Sequence, residues 1–337
     1  MKNTLYLSFL LFLLTNNMFA QDEPLMNQIK STIQKESFTI NALLQSGFRY
    51  SLYNNDFQGG RTFEAANARL DIHGILDNNF FYRLHFNFVS EPNLLDVYAG
   101  YKFSDSFILT AGSMKPKQSL DYIPGPGSTD FIDRTHITGL LVQSRELGLS
   151  AEGNIGGLNY FTGIFNGNKH LAPNNNNTFY GIGRLQYNFM DVVPGDLQIA
   201  IQGSYGDCDS VQSGSNGPKL RGERTIYGGD IRWETNKIIF AAEYMEGLLE
   251  TVDFLNTSEK INGYYITTGY KAFEKTHFLA RLQSWSFREA NYTNNQFTFG
   301  INQTFTSLCS FQFAFDAYFP ENSDKEYGVS LLLQIMF

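Results

Sequence analysis

Four basic residues, Arg49, Arg69, Arg83 and Lys102, each stand on the polar row of one of four successive stretches in which apolar and polar residues alternate. An alternation of period two places such a row on one face of an extended chain. If the four stretches lie side by side, the four cations form one wall. A wall of fixed cations attracts anions and biases the passage of charged solutes. Arg281 repeats the pattern later in the chain, as do Arg184, Arg232 and Lys271. The same rows carry Asp71, Asp96, Glu146, Glu152, Asp230, Glu243 and Asp316, so the two signs nearly balance. A space lined by both sets selects ions only weakly through its mean potential.

A second set lies in SMKPKQSLDYIPGPGSTDFIDRTHITGLLVQS, residues 113–144, which mixes Lys115, Lys117 and Arg134 with Asp121, Asp130 and Asp133. Such a stretch is too long for an idle connection. Pro116, Pro124 and Pro126 stiffen it, and Phe131, Ile132, Ile137, Leu140 and Leu141 give it apolar surface to bury. It reads either as a loop folded back to narrow a lumen or as a surface loop over a rim. In the first case, acidic loop residues facing the basic wall set a transverse field that orders water and sorts small polar solutes. The other reading of Asp133 and Arg134 is that they pin the loop through ion pairs and hydrogen bonds.

Catalytic patterns are missing. His73 and His85 are isolated, and the chain has no HExxH and no Cys/His cluster. No Gly-x-Ser-x-Gly elbow sits on a strand–helix turn. No enzyme activity, cofactor or metal site is expected. Two cysteines, Cys208 and Cys309, do not make a disulfide framework for a chain this long. Cys309 falls on an apolar row and Cys208 in a Gly/Asp/Ser loop, with pairing between them left open.

The elements that would position these residues follow from the chain ends inward. Residues 1–20, MKNTLYLSFLLFLLTNNMFA, combine a lysine, an apolar run of about ten residues and a closing alanine, which predicts a secretory signal peptide cleaved after Ala20. The run is too short to span a bilayer. Its loss would take the formal charge from −8 to −9 by removing Lys2, which argues against a nucleic-acid partner. Residues 21–40 read as a leader or short helix on the periplasmic side, or as a plug, with Leu25, Ile29 and Ile33 at helical spacing.

From residue 41 to 337 the alternation predicts about sixteen strands, at 41–52, 63–74, 79–90, 94–103, 106–113, 145–154, 157–166, 178–188, 197–206, 224–234, 237–247, 261–272, 277–288, 295–305, 308–318 and 326–337. They are long for a soluble sandwich. The chain holds 31 Phe and 19 Tyr with only 17% charged residues, and aromatics gather at strand ends, as in Tyr101/Phe103, Tyr187/Phe189 and Tyr318/Phe319. Interfacial girdles of a membrane barrel have that arrangement. Apolar rows such as Phe80, Tyr82, Leu84, Phe86 and Phe88, or Leu95, Val97, Ala99, Tyr101 and Phe103, then face lipid, and polar rows face a wet interior. Short turns alternate with longer connections such as 53–62, 168–177, 207–223 and 248–260. A terminal strand ending on Phe337 is expected to close the barrel on the first. The expected fold is thus an all-β transmembrane antiparallel barrel whose long third external loop enters the lumen. A soluble sandwich, or a barrel whose external loops bind or adhere to a partner, are the rival readings.

One run is also distinctive as a motif. LTAGSMKP at 109–116, TDFIDRT at 129–135, RELGLS at 145–150 and YFTGIFNG at 160–167 follow in order. It resembles the phosphate-selective porin O/P family. That resemblance implies a trimeric outer-membrane barrel of sixteen strands. The third external loop would narrow the pore, and inward arginines and lysines would pass anions, some members preferring phosphate. The expected partners are outer-membrane lipid, small hydrophilic solutes or anions, and two further copies of the chain.

Overall fold

The computed structural model describes residues 38–52, 60–76, 78–89, 91, 93–189, 192–251 and 257–337. The expected signal peptide, and the leader as far as residue 37, lie outside the described residues. Residues 39 and 40, expected at the end of the leader, already belong to the first strand.

Sixteen strands form one closed antiparallel barrel in which each pairs with its sequence neighbours and the last pairs with the first. They are β1 Thr39–Ser51, β2 Arg61–Leu76, β3 Phe80–Asn87, β4 Leu94–Ser104, β5 Phe107–Met114, β6 Glu146–Ile155, β7 Leu158–Phe165 and β8 Tyr180–Phe189. The second half is β9 Asp196–Gln212, β10 Lys219–Glu234, β11 Ile238–Thr251, β12 Ser258–Phe273, β13 Thr276–Phe287, β14 Tyr292–Thr304, β15 Cys309–Pro320 and β16 Glu326–Met336. Closure runs from Leu43↔Met336 to Ser51↔Gly328. Ala42 and Phe337 then exchange backbone hydrogen bonds at 2.6 and 3.0 Å. A closed ladder leaves no unpaired edge, the condition for crossing hydrocarbon with strands.

Period two decides the faces. On β16, Leu332 is 3% exposed and its neighbour Leu333 is 46% exposed; on β2, Phe63 is 84% exposed. Outward rows are therefore the bare apolar ones, as a lipid-facing surface requires. Turns at one rim are tight. Gly156-Gly157 joins β6 to β7 with φ of +56° and +90°, the backbone a two-residue hairpin turn demands and one that glycine adopts freely.

Three expectations change. First, β9 to β12 continue well past the predicted ends, so most of 207–223 and part of 248–260 are strand. These four strands have 17, 16, 14 and 16 residues against eight in β3, β5 and β7. Cys208 is consequently on β9, buried and inward-facing, and both cysteines are free thiols. Second, the interior is not uniformly polar, because inward Ile226, Met245, Leu249 and Ile261 are among the most deeply buried residues. Third, Leu95 is buried rather than lipid-facing, beside a register shift at His85/Phe86. Tyr318 likewise belongs to the inner face, stacked on inward-facing Trp285.

Candidate functional site

The stretch from Lys115 to Arg145 joins β5 to β6, and its partners are inward side chains from most of the barrel wall. Lys117 pairs with Glu152 on β6 at 2.6 Å. Gln118 donates to Ser204 Oγ on β9 at 2.8 Å. Asn302 on β14, Gln312 on β15, Gln334 on β16 and Gln45 on β1 donate to the carbonyls of Asp130, Thr129, Gly127 and Pro126 at 2.9–3.1 Å. Inward amides thus satisfy loop carbonyls that water would otherwise serve.

Carboxylates fix the rest. Glu243 on β11 accepts from Ser119 Oγ and from the backbone N–H of Leu120 and Asp121 at 2.9, 3.2 and 3.4 Å. Asp130 forms a bidentate pair with Arg232 at 2.7 and 3.2 Å. Asp133 forms another with Arg49 at 2.6 and 2.8 Å. Asp121 accepts from the N–H and hydroxyl of Thr135 at 2.9 and 3.2 Å, just ahead of the short helix α1, His136–Leu141. Bidentate Arg–carboxylate pairs add geometric specificity as well as energy.

The apolar residues of the loop explain the apolar patches of the wall. Ile137, Leu140, Leu141 and Val142 pack into one cluster with Cys208, Ile226, Met245, Leu249 and Ile261. His136 stacks on Trp285, centroids 4.0 Å apart, and its Nε2 lies 2.7 Å from Gln296 Oε1. Phe131 is buried with Ile239 and Leu279, its ring against Gly300 and under the Arg281 guanidinium at 4.5 Å. Arg281 also donates to the Asp133 carbonyl at 3.1 Å.

These contacts sort the predicted site residues. Arg49 and Arg281 hold the loop. Arg83 is paired with Asp71 at 2.8 and 3.0 Å. Lys102 bonds Asp105 in the β4–β5 turn at 2.6 Å, away from the loop. Asp121, Asp130 and Asp133 are spent on pinning rather than facing the basic wall across a gap. Arg69, Lys115 and Arg134 form no ion pair among the described residues. Arg69 donates to Asn67 Oδ1 at 2.7 Å. Lys115 donates to the carbonyls of Ile123 and Pro124 at 3.1 and 2.9 Å. Arg134 donates to the carbonyls of Asp121 and Pro124. Both loop cations lie over the Tyr122 ring, at 4.4 and 4.8 Å. Burial first, then the nearby Arg134 and Arg145 charges, pushes Lys115 down to about 6. Arg69 and Arg134 therefore leave cationic charge in excess on the side of the loop toward β2 to β4.

Several participants were missed from sequence. Arg145 bonds Asp96, which also receives His85, at 3.1 and 2.9 Å. Glu64 bonds Arg49 at 2.9 Å. Period two placed Glu64 opposite to Arg69, but the β1–β2 register shifts at Gln45/Ser46, and this extra residue turns Glu64 inward as well. The conspicuous motifs have structural work. Glu146 and Arg224 are wholly buried 3.6 Å apart. Arg224 stacks on Tyr180 at 3.6 Å and donates to the Gly167 carbonyl at 2.9 Å. Any side chain at Gly148 or Gly163 would strike Phe165. Beside the loop tip, Gln45, Arg49, Glu64, Asn67, Asp133 and Arg134 line a cavity of about 230 Å³.

A sixteen-stranded closed barrel with lipid-facing outer rows and a long loop bound to its inner wall defines an outer-membrane porin, a channel for passive diffusion of small hydrophilic solutes. The profile of the family phosphate-selective porin O and P matches residues 38–217, and the chain belongs to that family. An anion-selective porin from Comamonas acidovorans superposes with a TM-score of 0.70 at 12% identity, covering 89% of this chain and 99% of that one. OmpF of Salmonella typhi in complex with daunomycin gives 0.65 at 10%, covering 90% and 98%. The trimer form of in-vitro folded OmpT, an outer membrane protein of Vibrio cholerae, gives 0.62 at 10%, covering 89% and 99%. Comparison with curated protein sequences gives no match. Neither the family nor the fold favours the adhesive reading.

Proposed function

We propose that this porin passes small hydrophilic anions, inorganic phosphate among them, between the loop and the β2–β4 wall, without a catalytic step. The observation that carries the reading is the pair Arg69 and Arg134, two guanidiniums on one side of the loop with no ion pair among the described residues, joined by the Lys115 amine when that is protonated. The loop constricts the path, because its partners on β1, β6, β9, β11 and β13 to β16 hold it across the lumen. The chain reaches the outer membrane behind a cleaved signal peptide and functions as a homotrimer; one of the similar structures is itself a trimer form.

The reversal potential of the channel in a planar bilayer under a KCl gradient tests this, repeated with phosphate. A chloride-favouring potential is expected, with phosphate reducing the chloride current. One unit charge acting across about 8 Å of water is worth about 0.5 kcal/mol, so Arg69→Gln should lower the anion preference roughly twofold. A cation-favouring potential in the parent channel, unmoved in Arg69→Gln, would rule the reading out.

A further inference from the structure

The cavity beside the loop tip is polarised along its length. At one end, Arg49 serves two carboxylates at once, Glu64 through Nε and Asp133 through both terminal nitrogens. One cation against two anions leaves that end net negative. The two carboxylate side chains remain 30% and 44% exposed. Among the described residues Glu64 commits only Oε1, and that oxygen lies directly over Gly47, where an added Cβ would come within 2.8 Å of it. Toward the other end stands Arg134, which among the described residues donates only to backbone carbonyls and lies close enough to Arg69 to act on it electrostatically; Asn67, which orients Arg69, lines the cavity too. That end is net positive. Pro126 and Ile132 add apolar lining.

We infer that this cavity is a subsite for zwitterionic solutes of amino-acid size. The solute's ammonium group lies toward Glu64 and Asp133, and its carboxylate toward Arg134. A volume of 230 Å³ is below the roughly 300–1,000 Å³ that drug-sized ligands occupy, and suits a solute of this size. Charge-assisted hydrogen bonds at both ends reward a molecule carrying both signs, whereas a dianion meets the carboxylates and a neutral sugar engages neither end fully. Binding in a diffusion channel must stay weak enough for exit, so a half-saturating concentration near the millimolar range is expected. The inference rests on the reading of the loop-side lumen as the diffusion path, and goes beyond it in naming a solute class that an anion preference alone does not select.

The test is block of KCl current through the channel in planar bilayers, expressed as a fraction of each channel's own open conductance. The probes are L-glutamine, glucose and glutarate. L-Glutamine is expected to give a saturable block. Glucose is expected to lower the current only as it lowers bulk conductivity, and glutarate to block more weakly than glutamine. Glu64→Gln should raise the half-blocking concentration of glutamine about tenfold, the weight of one charge-assisted hydrogen bond. Gly47→Ala, which displaces the same carboxylate without removing it, should act in the same direction and serves if Glu64→Gln does not assemble. No saturable block by glutamine, or an equal block in both variants, overturns the inference. So does glutarate blocking more strongly than glutamine, which would leave only the cationic end as a site. The reversal potential reports on the anion reading separately: it stays anion-favouring if only the zwitterion site fails, and glutamine block persists if only the anion preference fails.

Discussion

Phe131 is the residue on which the seating of the loop tip can be tested most directly. It is 4% exposed, packed on Ile239 and Leu279, edged against Gly300 and covered by Arg281. Phe131→Ala removes a ring from a site whose walls are strands of a closed barrel, so little collapse can fill the gap. Buried Phe→Ala changes cost about 3–5 kcal/mol, and loss of the guanidinium–ring contact adds about 0.5–2 kcal/mol. The strands themselves are untouched, so the cost falls on the local equilibrium between seated and released loop. At 1.4 kcal/mol per decade, the combined cost of about 3.5–7 kcal/mol raises the released population from about three hundredfold to about a hundred-thousandfold. The assay is proteolysis of the folded channel in detergent, scored as cleavage between residues 117 and 134. Cleavage of a transiently opened segment tracks the open population. The variant should be cut at least about a hundredfold faster, with Phe131→Leu falling much closer to the parent because it refills the site. Cleavage of Phe131→Ala within about threefold of the parent would refute the reasoning, since the ring would then contribute nothing to holding the loop.

The Lys115 amine, pushed down to about 6 by burial and by neighbouring cations, is neutral at pH 7 to 8 and takes a proton as the bath is acidified through pH 6. Anion preference, read from the reversal potential, should therefore step upward below about pH 6, and Lys115→Met should abolish the step. Gly148 and Gly183 both lie in strands, yet a Cβ at Gly148 would sit 2.2 Å from the Ile164 carbonyl, whereas one at Gly183 meets nothing within 4 Å. Gly148→Ala should cost about 1–3 kcal/mol and Gly183→Ala far less, measured as the unfolding midpoint of the compact form on electrophoresis after heating. Denatured, unreduced protein should titrate for two thiols per chain; in the folded channel Cys309 should react ahead of Cys208, which is 2% exposed.

The barrel was readable because its rule is simple. Lipid on one side and polar groups on the other impose period two, and the turns of Asn78, Gly156 and Gly157 punctuate it. The rule failed where its physical basis lapses. Beyond their predicted ends β9 and β10 stay paired, so Asp207, Asp209 and Glu223 sit in strands that composition assigned to a loop. Where α1 covers the inner wall, Ile226, Met245 and Ile261 make the inside apolar too, and two apolar rows erase the alternation. Within the site, the residue types were legible but the pairing was not. Asp133 reaches Arg49 across 84 residues and Asp130 reaches Arg232 across 102. Which acid neutralises which base depends on where the loop turns, and it leaves Arg69 and Arg134 without an ion pair among the described residues. Glu64 was hidden by a single inserted residue.

The far-flung anchoring of the loop also dictates a chronology. Gly127 waits for Gln334, 207 residues later, Thr129 for Gln312, and Asp130 for Asn302. Contacts of such sequence separation are the slowest to form. The loop emerges from synthesis before nearly all of its docking surface exists, and the oily face of α1 has nothing to cover it until β9 to β13 stand beside one another. Seating therefore cannot be complete until strands as late as β16 are in place. A barrel whose strands had closed before the loop seated would present a wider lumen than the finished channel.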